Sequence, residues 1–512
     1  MKKIITLAAA IMIGLAGTGT SLAGKKDDTL TALLSRDIYT VDGLYSTRTE
    51  NSLIGQLTDD TLFIIQDDGT IGPNLAESFH YRDDKTLDVV LHDNVKFHDG
   101  SVLTAEDVVY SLNYLLDKNA KTAFGSQVRE VVADVRATGP LQLQIRFHKT
   151  DPLALNILAV RGLIRKAHTY DGPDGALNTT AQNQTLNGLG PYRITRFVPG
   201  QTVELTRFAD YRQDGPKGSP AIGKVVFRAV AEEGTRAAEL ASGNAEWTYY
   251  IADDATAALK AAGRVNVVQN LSSRVAYLVL DAQGGVAGNE NGPVTKKLVR
   301  QALSYAIDKP SIVQSLTGSG TLALDSLCAP AMFGCSREVA KYTYDPKKTR
   351  ALLAEAGYPQ GFSITLQSTR DRPALEAIVE QWRQAGVDAR LSFVPSAVQA
   401  EMRRNNQVIA FYQTWGTEGR QDAGTLLGNT FVGSNRNLTG DKRLEPLVRS
   451  AQETFDPQAR SDAYQQALSI IAEEAYLIPL FQLAENWVIS PELDISAGTD
   501  GLPRFYRARW KE

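Results

Sequence analysis

Val95-Lys-Phe-His-Asp-Gly-Ser-Val-Leu-Thr-Ala-Glu-Asp-Val-Val-Tyr-Ser-Leu112 is the stretch on which the fold turns. Thr104 caps a helix there, and Asp107 three residues on completes a capping box for the orphan N–H groups of the first turn. Val108, Val109, Leu112, Leu115 and Leu116 recur at helical spacing and form its buried stripe. Just upstream, residues 86–91 alternate apolar and polar, His92-Asp93-Asn94 supply turn chemistry, and Val95-Lys96-Phe97 return. That pattern predicts a β-hairpin closed by Asp99-Gly100. His98 reads as part of this turn, not as a ligand contact.

The same alternation of elements continues outward. Residues 191–194 and 202–206 read as strands around Pro199-Gly200, residues 224–229 as another, and residues 234–241 as a helix stopped by Gly243. A helix over 295–307 buries Leu298, Val299, Ala302, Leu303, Ala306 and Ile307, with Pro310 beyond it. Asp345 caps the next helix, Pro346 sits in its first turn and Gly357 ends it. Phe362, Ile364 and Leu366 then alternate as a strand, residues 372–385 form a helix, and Val387, Ala389, Leu391 and Phe393 alternate again. Strand, helix, strand is a βαβ unit with parallel neighbours. The fold class is α/β, and 512 residues are too many for one core, so two lobes or more are expected.

Residues 1–23 read as a secretory signal, with Lys2 and Lys3 ahead of an apolar stretch from Ile4 to Ala16 and Ser21-Leu22-Ala23 as the cleavage site. No Cys follows that site, so a free periplasmic protein without a lipid anchor is expected. Without Lys2 and Lys3 the formal charge falls from −4 to −6, with 52 basic against 58 acidic residues, which argues against nucleic acid. Cys328 and Cys335 flank a short loop with Pro330 and Gly334, and in an oxidising compartment they read as a disulfide holding a surface turn of one lobe.

Pro73-Asn-Leu-Ala-Glu-Ser-Phe79 together with the opening stretch resembles the signature of the peptide/nickel-type solute-binding proteins of ABC importers, bacterial extracellular family 5. Gly190-Pro-Tyr-Arg-Ile-Thr-Arg-Phe-Val-Pro-Gly200, Val299-Arg-Gln-Ala-Leu-Ser-Tyr-Ala-Ile-Asp-Lys309 and Tyr344-Asp-Pro-Lys-Lys-Thr-Arg-Ala-Leu-Leu-Ala-Glu-Ala-Gly-Tyr358 are similar to later blocks, in the family's order. The resemblance implies a periplasmic binding protein of type II-like fold, two α/β lobes closing on a ligand. The first lobe would take residues 24–60, 183–270 and 481–512, an inserted subdomain 61–182, and the second lobe 271–480. It also implies a monomer that hands a small solute or peptide to ABC permease subunits, with no cofactor.

Phe411-Tyr-Gln-Thr-Trp-Gly-Thr-Glu-Gly-Arg-Gln-Asp-Ala423 resembles the family's ligand loop, with Trp415 and Asp422 at matching positions. It departs from the dipeptide pattern where an amino-group anchor is expected: Gly419 stands there, between Glu418 and Arg420. Arg420 offers a planar fork for carboxylates, which an amino group could not use. Leu158-Ala-Val-Arg161-Gly-Leu-Ile-Arg165 is similar to the segment of nickel-binding members in which an Arg meets the carboxylates of a chelate, and Arg161 takes that position. Lys121, Phe124 and Tyr45 fall where those members place cleft residues. The implied ligand site is Tyr45, Lys121, Phe124, Arg161, Trp415, Glu418, Arg420 and Asp422, for an oligopeptide or peptide-like solute. An opine-like conjugate or a metal chelate is the competing cargo, and a ligand-presenting sensor or chaperone subunit the competing role. With five histidines, at 80, 92, 98, 148 and 168, no HExxH pair, no GxSxG elbow and no phosphate-binding loop, neither an enzyme nor a direct metal site is indicated.

Overall fold

The computed structural model describes residues 24–512 apart from 174, 175, 250, 318, 418, 419, 434–436 and 499. The export signal expected over 1–23 and the candidate Glu418 therefore lie outside the described residues.

Thr29–Leu34 is buried along its whole length, which suits a strand covered on both faces. It runs parallel to Lys224–Ala229 on one side and to Trp247–Tyr249 on the other, in the middle of a seven-stranded sheet. Beyond Lys224–Ala229 come Thr202–Arg207 and Tyr192–Val198, the hairpin expected around Gly200, whose φ of 75° admits the turn. On the far side Trp487–Ile489 slots between Trp247–Tyr249 and Asn266–Val268. Leu30, Phe227, Trp247, Trp487 and Phe505 share the core of this sheet, so the C-terminal segment packs with the N-terminal strand.

The βαβ unit takes the form Ser363–Ser368, Arg372–Gln384 and Asp388–Phe393, with its two strands parallel. They belong to a six-stranded sheet completed by Ala410–Gly416, Leu271–Leu280, Leu477–Ala484 and Leu322–Ala323. Trp382 of the βαβ helix is fully buried, and its indole N–H donates to the Leu303 carbonyl at 3.0 Å. That carbonyl belongs to the helix Lys297–Tyr305, which is entered through the proline-started 3-10 turn Pro293–Thr295.

A third, four-stranded antiparallel sheet corrects one expectation. Thr86–Leu91 pairs with Ala76–Asp83 and with Gln142–Phe147, so both its edges are filled and Val95-Lys96-Phe97 has no edge to join. Val95-Lys96-Phe97 contributes a single bridge, Lys96 to Val102, after Asn94 turns the chain at φ 56°. The capping box is present: the Thr104 N–H and hydroxyl both donate to Asp107 Oδ2, at 2.8 and 2.9 Å. Helix Ala105–Leu116 covers this sheet, and its stripe joins Leu87, Val89 and Ile145 in one core. His98 anchors the segment to the seven-stranded sheet, its Nε2 donating to the Gly190 carbonyl at 2.9 Å while the Gly188 N–H donates to Nδ1 at 3.3 Å. Gly190 is a close-approach glycine, because a Cβ there would lie 2.4 Å from the Leu57 carbonyl.

Cys328 and Cys335 are disulfide-bonded, with Cα atoms 5.7 Å apart. The expected surface turn is instead a packed one. Cys328 is buried, and Phe333 inside the loop pairs with the segment after Gly416: the Phe333 N–H donates to the Gln421 carbonyl at 2.9 Å and the Ala423 N–H to the Phe333 carbonyl at 3.0 Å. Apolar neighbours from three helices close over it, so the bridge lies in a core. No helix among the described residues is long and apolar enough to cross a membrane.

The chain passes between the seven- and six-stranded sheets at 269–270, after Asn266–Val268, and at 485–486, after Leu477–Ala484. The Glu485 N–H donates to the Asn270 carbonyl at 2.7 Å, tying the two crossings together.

Candidate functional site

A cleft of about 400 Å³ opens beside these crossings, within the range of small-molecule sites. One wall is built from the 43–47 turn and the helix Thr49–Thr58, which contribute Ser46, Asn51 and Gln56. The four-stranded sheet's elements add Leu115, Phe124 and Arg161. From the six-stranded sheet come Ser272, Ser273, Arg274 and Gly416, from the crossing Glu485, and from the C-terminal segment Asp500, Arg504 and Tyr506.

Arg161 is the last residue of helix Ala154–Arg161, and its guanidinium carbon lies 3.4 Å from the centroid of the Phe124 ring. The ring face stabilises the cation. Arg274 owes its position to an irregularity in strand pairing. The register between Leu271–Leu280 and Leu477–Ala484 shifts between Leu271 and Val275, a bulge that re-aims residues 272–274. Ser272 carries the bulge, its hydroxyl donating to the Leu483 carbonyl at 2.8 Å while its own carbonyl accepts from Gln482 at 2.9 Å. The Arg274 side chain donates to Thr414 Oγ1 at 3.3 Å and lies over Gly416, where a Cβ would come within 3.2 Å of Nη2.

Several charges around the cleft are paired within the protein. Arg165 is fully buried, donating to Asp59 at 2.5 Å and to Asp42 at 3.2 Å, and Asp42 also accepts from the Tyr170 hydroxyl at 2.6 Å. Burial pushes the Asp59 carboxyl up while Arg165 pulls it down. Lys217 donates to the Gln56 and Asp59 carbonyls and to Asp60, each at 2.7 Å. Arg504 pairs with Asp500 at 2.9 Å.

Of the residues expected from sequence, Phe124 and Arg161 line the cleft together. Tyr45 does not line it, although Gly43, Leu44 and Ser46 beside it do; its hydroxyl meets that of Tyr114 and its ring packs edge-on against Tyr170. Lys121 is exposed, in a left-handed conformation at the end of a 3-10 turn. Trp415 packs against the core that holds the disulfide. Arg420 folds back on its own loop, its Nε donating to the Thr417 carbonyl at 3.0 Å. Asp422 is buried, pairs with Arg460 at 2.5 Å and accepts from the Gly424 N–H at 2.8 Å, so it anchors its loop to the neighbouring helix Pro457–Glu473.

Arg274 and Glu485 are among the cleft residues that sequence reasoning missed. Arg274 depends on the bulge, which left no mark in the alternation of the strand. Glu485 had a signal: an acid and an amide, Glu485-Asn486, interrupt a run between Leu477 and Ile489 whose one other polar residue is Gln482. That break is where the chain leaves one sheet for the other.

Comparison with known proteins places the chain among binding proteins. A family model described as bacterial extracellular solute-binding proteins, family 5 Middle, matches residues 70–437. The glutathione-binding protein GsiB of Shigella dysenteriae is 27% identical over 426 residues, covering 79% of each chain. GsiB of Salmonella typhimurium is 25% identical over 500 residues, covering 94% of each. Among solved structures, HbpA2 from Haemophilus parasuis superposes with a TM-score of 0.83 at 23% identity, covering 94% of this chain and all of that one. NikA from Brucella suis in complex with Fe(III)-EDTA gives 0.81 at 21% identity, with the same coverage. These two establish a shared fold, that of the type II periplasmic binding proteins.

Proposed function

The chain belongs to the bacterial extracellular solute-binding proteins of family 5, which serve ABC importers, and from that premise we propose that its cargo is a short, carboxylate-rich peptide. The observation that carries this reading is the placement of Arg161 and Arg274 on opposite walls of one cleft, reached from different sheets. Guanidinium groups so arranged suit carboxylates on one small ligand, because the planar fork matches a carboxylate with two parallel hydrogen bonds. Glutathione, the solute named for the relatives in Shigella and Salmonella, is a tripeptide with two carboxylates and fits that description.

The protein acts, in this reading, by closure. The chain runs from one wall to the other at the crossings 269–270 and 485–486, so bending there moves one against the other. A solute that contacts both walls favours the closed form by its extra contacts there, and the closed form is what the membrane subunits receive. The site of action is the periplasm and the working unit a monomer. Binding rather than turnover is the role, in keeping with relatives that are named as binding proteins.

A thermal-shift panel tests the cargo: Ala-Ala, Ala-Glu-Gly, glutathione, and Fe(III)-EDTA as a carboxylate-rich chelate. The acidic tripeptides should raise the melting temperature with concentration by mass action, and Ala-Ala should do so weakly. No shift with any peptide, beside a clear one with the chelate, overturns the peptide reading.

A further inference from the structure

We propose that Glu485 receives a cationic group of the solute and that, with Arg274, it makes this cleft select zwitterions over simple anions. The inference deepens the peptide reading and rests on it.

Glu485 and Arg274 differ from the other described charges of the cleft. Arg504, Lys217 and Asp59 each have an opposite charge within contact distance. The Glu485 carboxyl has neither a hydrogen bond nor an ion pair among the described residues, although the residue is half-buried and lines the cleft. Arg274 likewise has no carboxylate within ion-pair distance among the described residues; its side-chain bond is the 3.3 Å contact to Thr414. Both face the same space, close enough for Arg274 to pull on the Glu485 carboxyl, which burial pushes up, yet without touching. A partly desolvated acid and base held apart in one cavity are each short of a partner, which is costly unless something else supplies it.

A solute with an ammonium group at one end and a carboxylate at the other would satisfy both at once. The backbone fixes where the acid stands: Glu485 lies on the crossing, its N–H bonded to Asn270, and the Arg274 bulge begins two residues beyond Asn270. The charge pair therefore sits at the root of the hinge, where its geometry varies little as the walls move. A ligand's two ends can be read there before closure brings Arg161 to the rest of it.

Calorimetric titration of three forms of one peptide tests this: Ala-Glu-Gly, N-acetyl-Ala-Glu-Gly and Ala-Glu-Gly amide, each against wild type, Glu485→Gln and Arg274→Gln. On wild type, acetylation and amidation should each weaken binding at least about 30-fold, the loss expected when one partner of a buried charge pair is removed. Glu485→Gln should bind the free peptide about as weakly as wild type binds the acetylated one, with no further loss on acetylation; Arg274→Gln should show the same for the amide. Equal affinity of wild type for the free and acetylated forms, or an undiminished acetylation penalty in Glu485→Gln, overturns the role of Glu485 and leaves the peptide reading standing. Failure of all three forms to bind wild type overturns the peptide reading, and this inference with it. The acetylation arm needs no variant, and Glu485→Gln keeps the side chain's shape, so misfolding does not decide the result.

Discussion

Glu246 should make the protein less stable as pH rises through the slightly acidic range. It is 3% exposed at the entry to strand Trp247–Tyr249, its Oε2 accepts from the Thr31 N–H at 2.7 Å, and burial pushes its carboxyl up to about 7, with Glu492 adding to the effect. In the unfolded chain the value is the ordinary 4.5. Between those limits the folded state keeps a proton that the unfolded state releases. The stabilisation is complete below about pH 4.5, falls as pH rises and is gone above about pH 7. The gap of about 2.5 pH units corresponds to about 3 kcal/mol, with about 1 kcal/mol lost by pH 5 and about 2 kcal/mol by pH 6. Glu246→Gln is neutral at every pH and escapes this loss. Its stability advantage over wild type should therefore grow by about 3 kcal/mol between about pH 4 and pH 8. Urea unfolding followed by tryptophan emission measures it, since Trp247 is the next residue and is buried. Taking the difference between variant and wild type cancels the other titrating groups. A difference that stays flat across this range would refute the argument, because it would mean that the carboxyl ionises in the fold as it does in water.

Arg165→Met should cost about 3–5 kcal/mol, because it strands the buried carboxylates of Asp59 and Asp42. The cost should be larger at pH 8 than at pH 5, where protonation relieves Asp59, which burial pushes up and which loses the pull of Arg165; a variant as stable as wild type at pH 8 counts against a charged network. Replacing both Cys328 and Cys335 by Ser opens a loop of sequence separation 7 and should lower stability by about 2 kcal/mol. Because Phe333 in that loop is paired to Gln421 and Ala423, the same variant should perturb amide hydrogen exchange at residues 420–424. Protection unchanged there would show that the bridge acts only on its own turn.

The scaffold was legible where the deciding signals are local. Thr104 and Asp107 announce their helix because a capping box involves four consecutive residues, and the βαβ unit at 363–393 shows because its periods switch from two to 3.6 and back. Strand partnership is not local. Thr86–Leu91 alternates as expected, but nothing in its own residues says that its neighbours are 76–83 and 142–147 and not 95–97. The site was legible only in part for the same reason. Phe124 and Arg161 stand at the ends of two helices that pack together and meet each other, whereas Asp422 looks like a ligand acid until Arg460, 38 residues on, is seen to hold it. A bulge decides the aim of Arg274, and which sheet each flanking strand joins decides the place of Glu485. Neither is encoded in a motif.

Where the charged pair stands also bears on how closure is driven. Two mobile walls sharing a ligand would close for any solute that bridges them, and discrimination would then rest on the final fit alone. Here one pair of charges belongs to the crossing strands and Arg161 to a distant helix, so recognition divides into two steps. A zwitterion first neutralises Glu485 and Arg274, which a dicarboxylate without an amine cannot do, since its second carboxylate would face Glu485. Only a solute retained in that first step reaches the second, in which the remaining carboxylate draws Arg161 and Phe124 inward. The free energy that favours the closed form is the difference in contacts between the two forms, so it comes from the second step and not from the first. Selectivity for the amine and the strength of closure are thereby assigned to different residues. Glu485→Gln should relax the first while sparing the second, and Arg161→Ala should do the reverse.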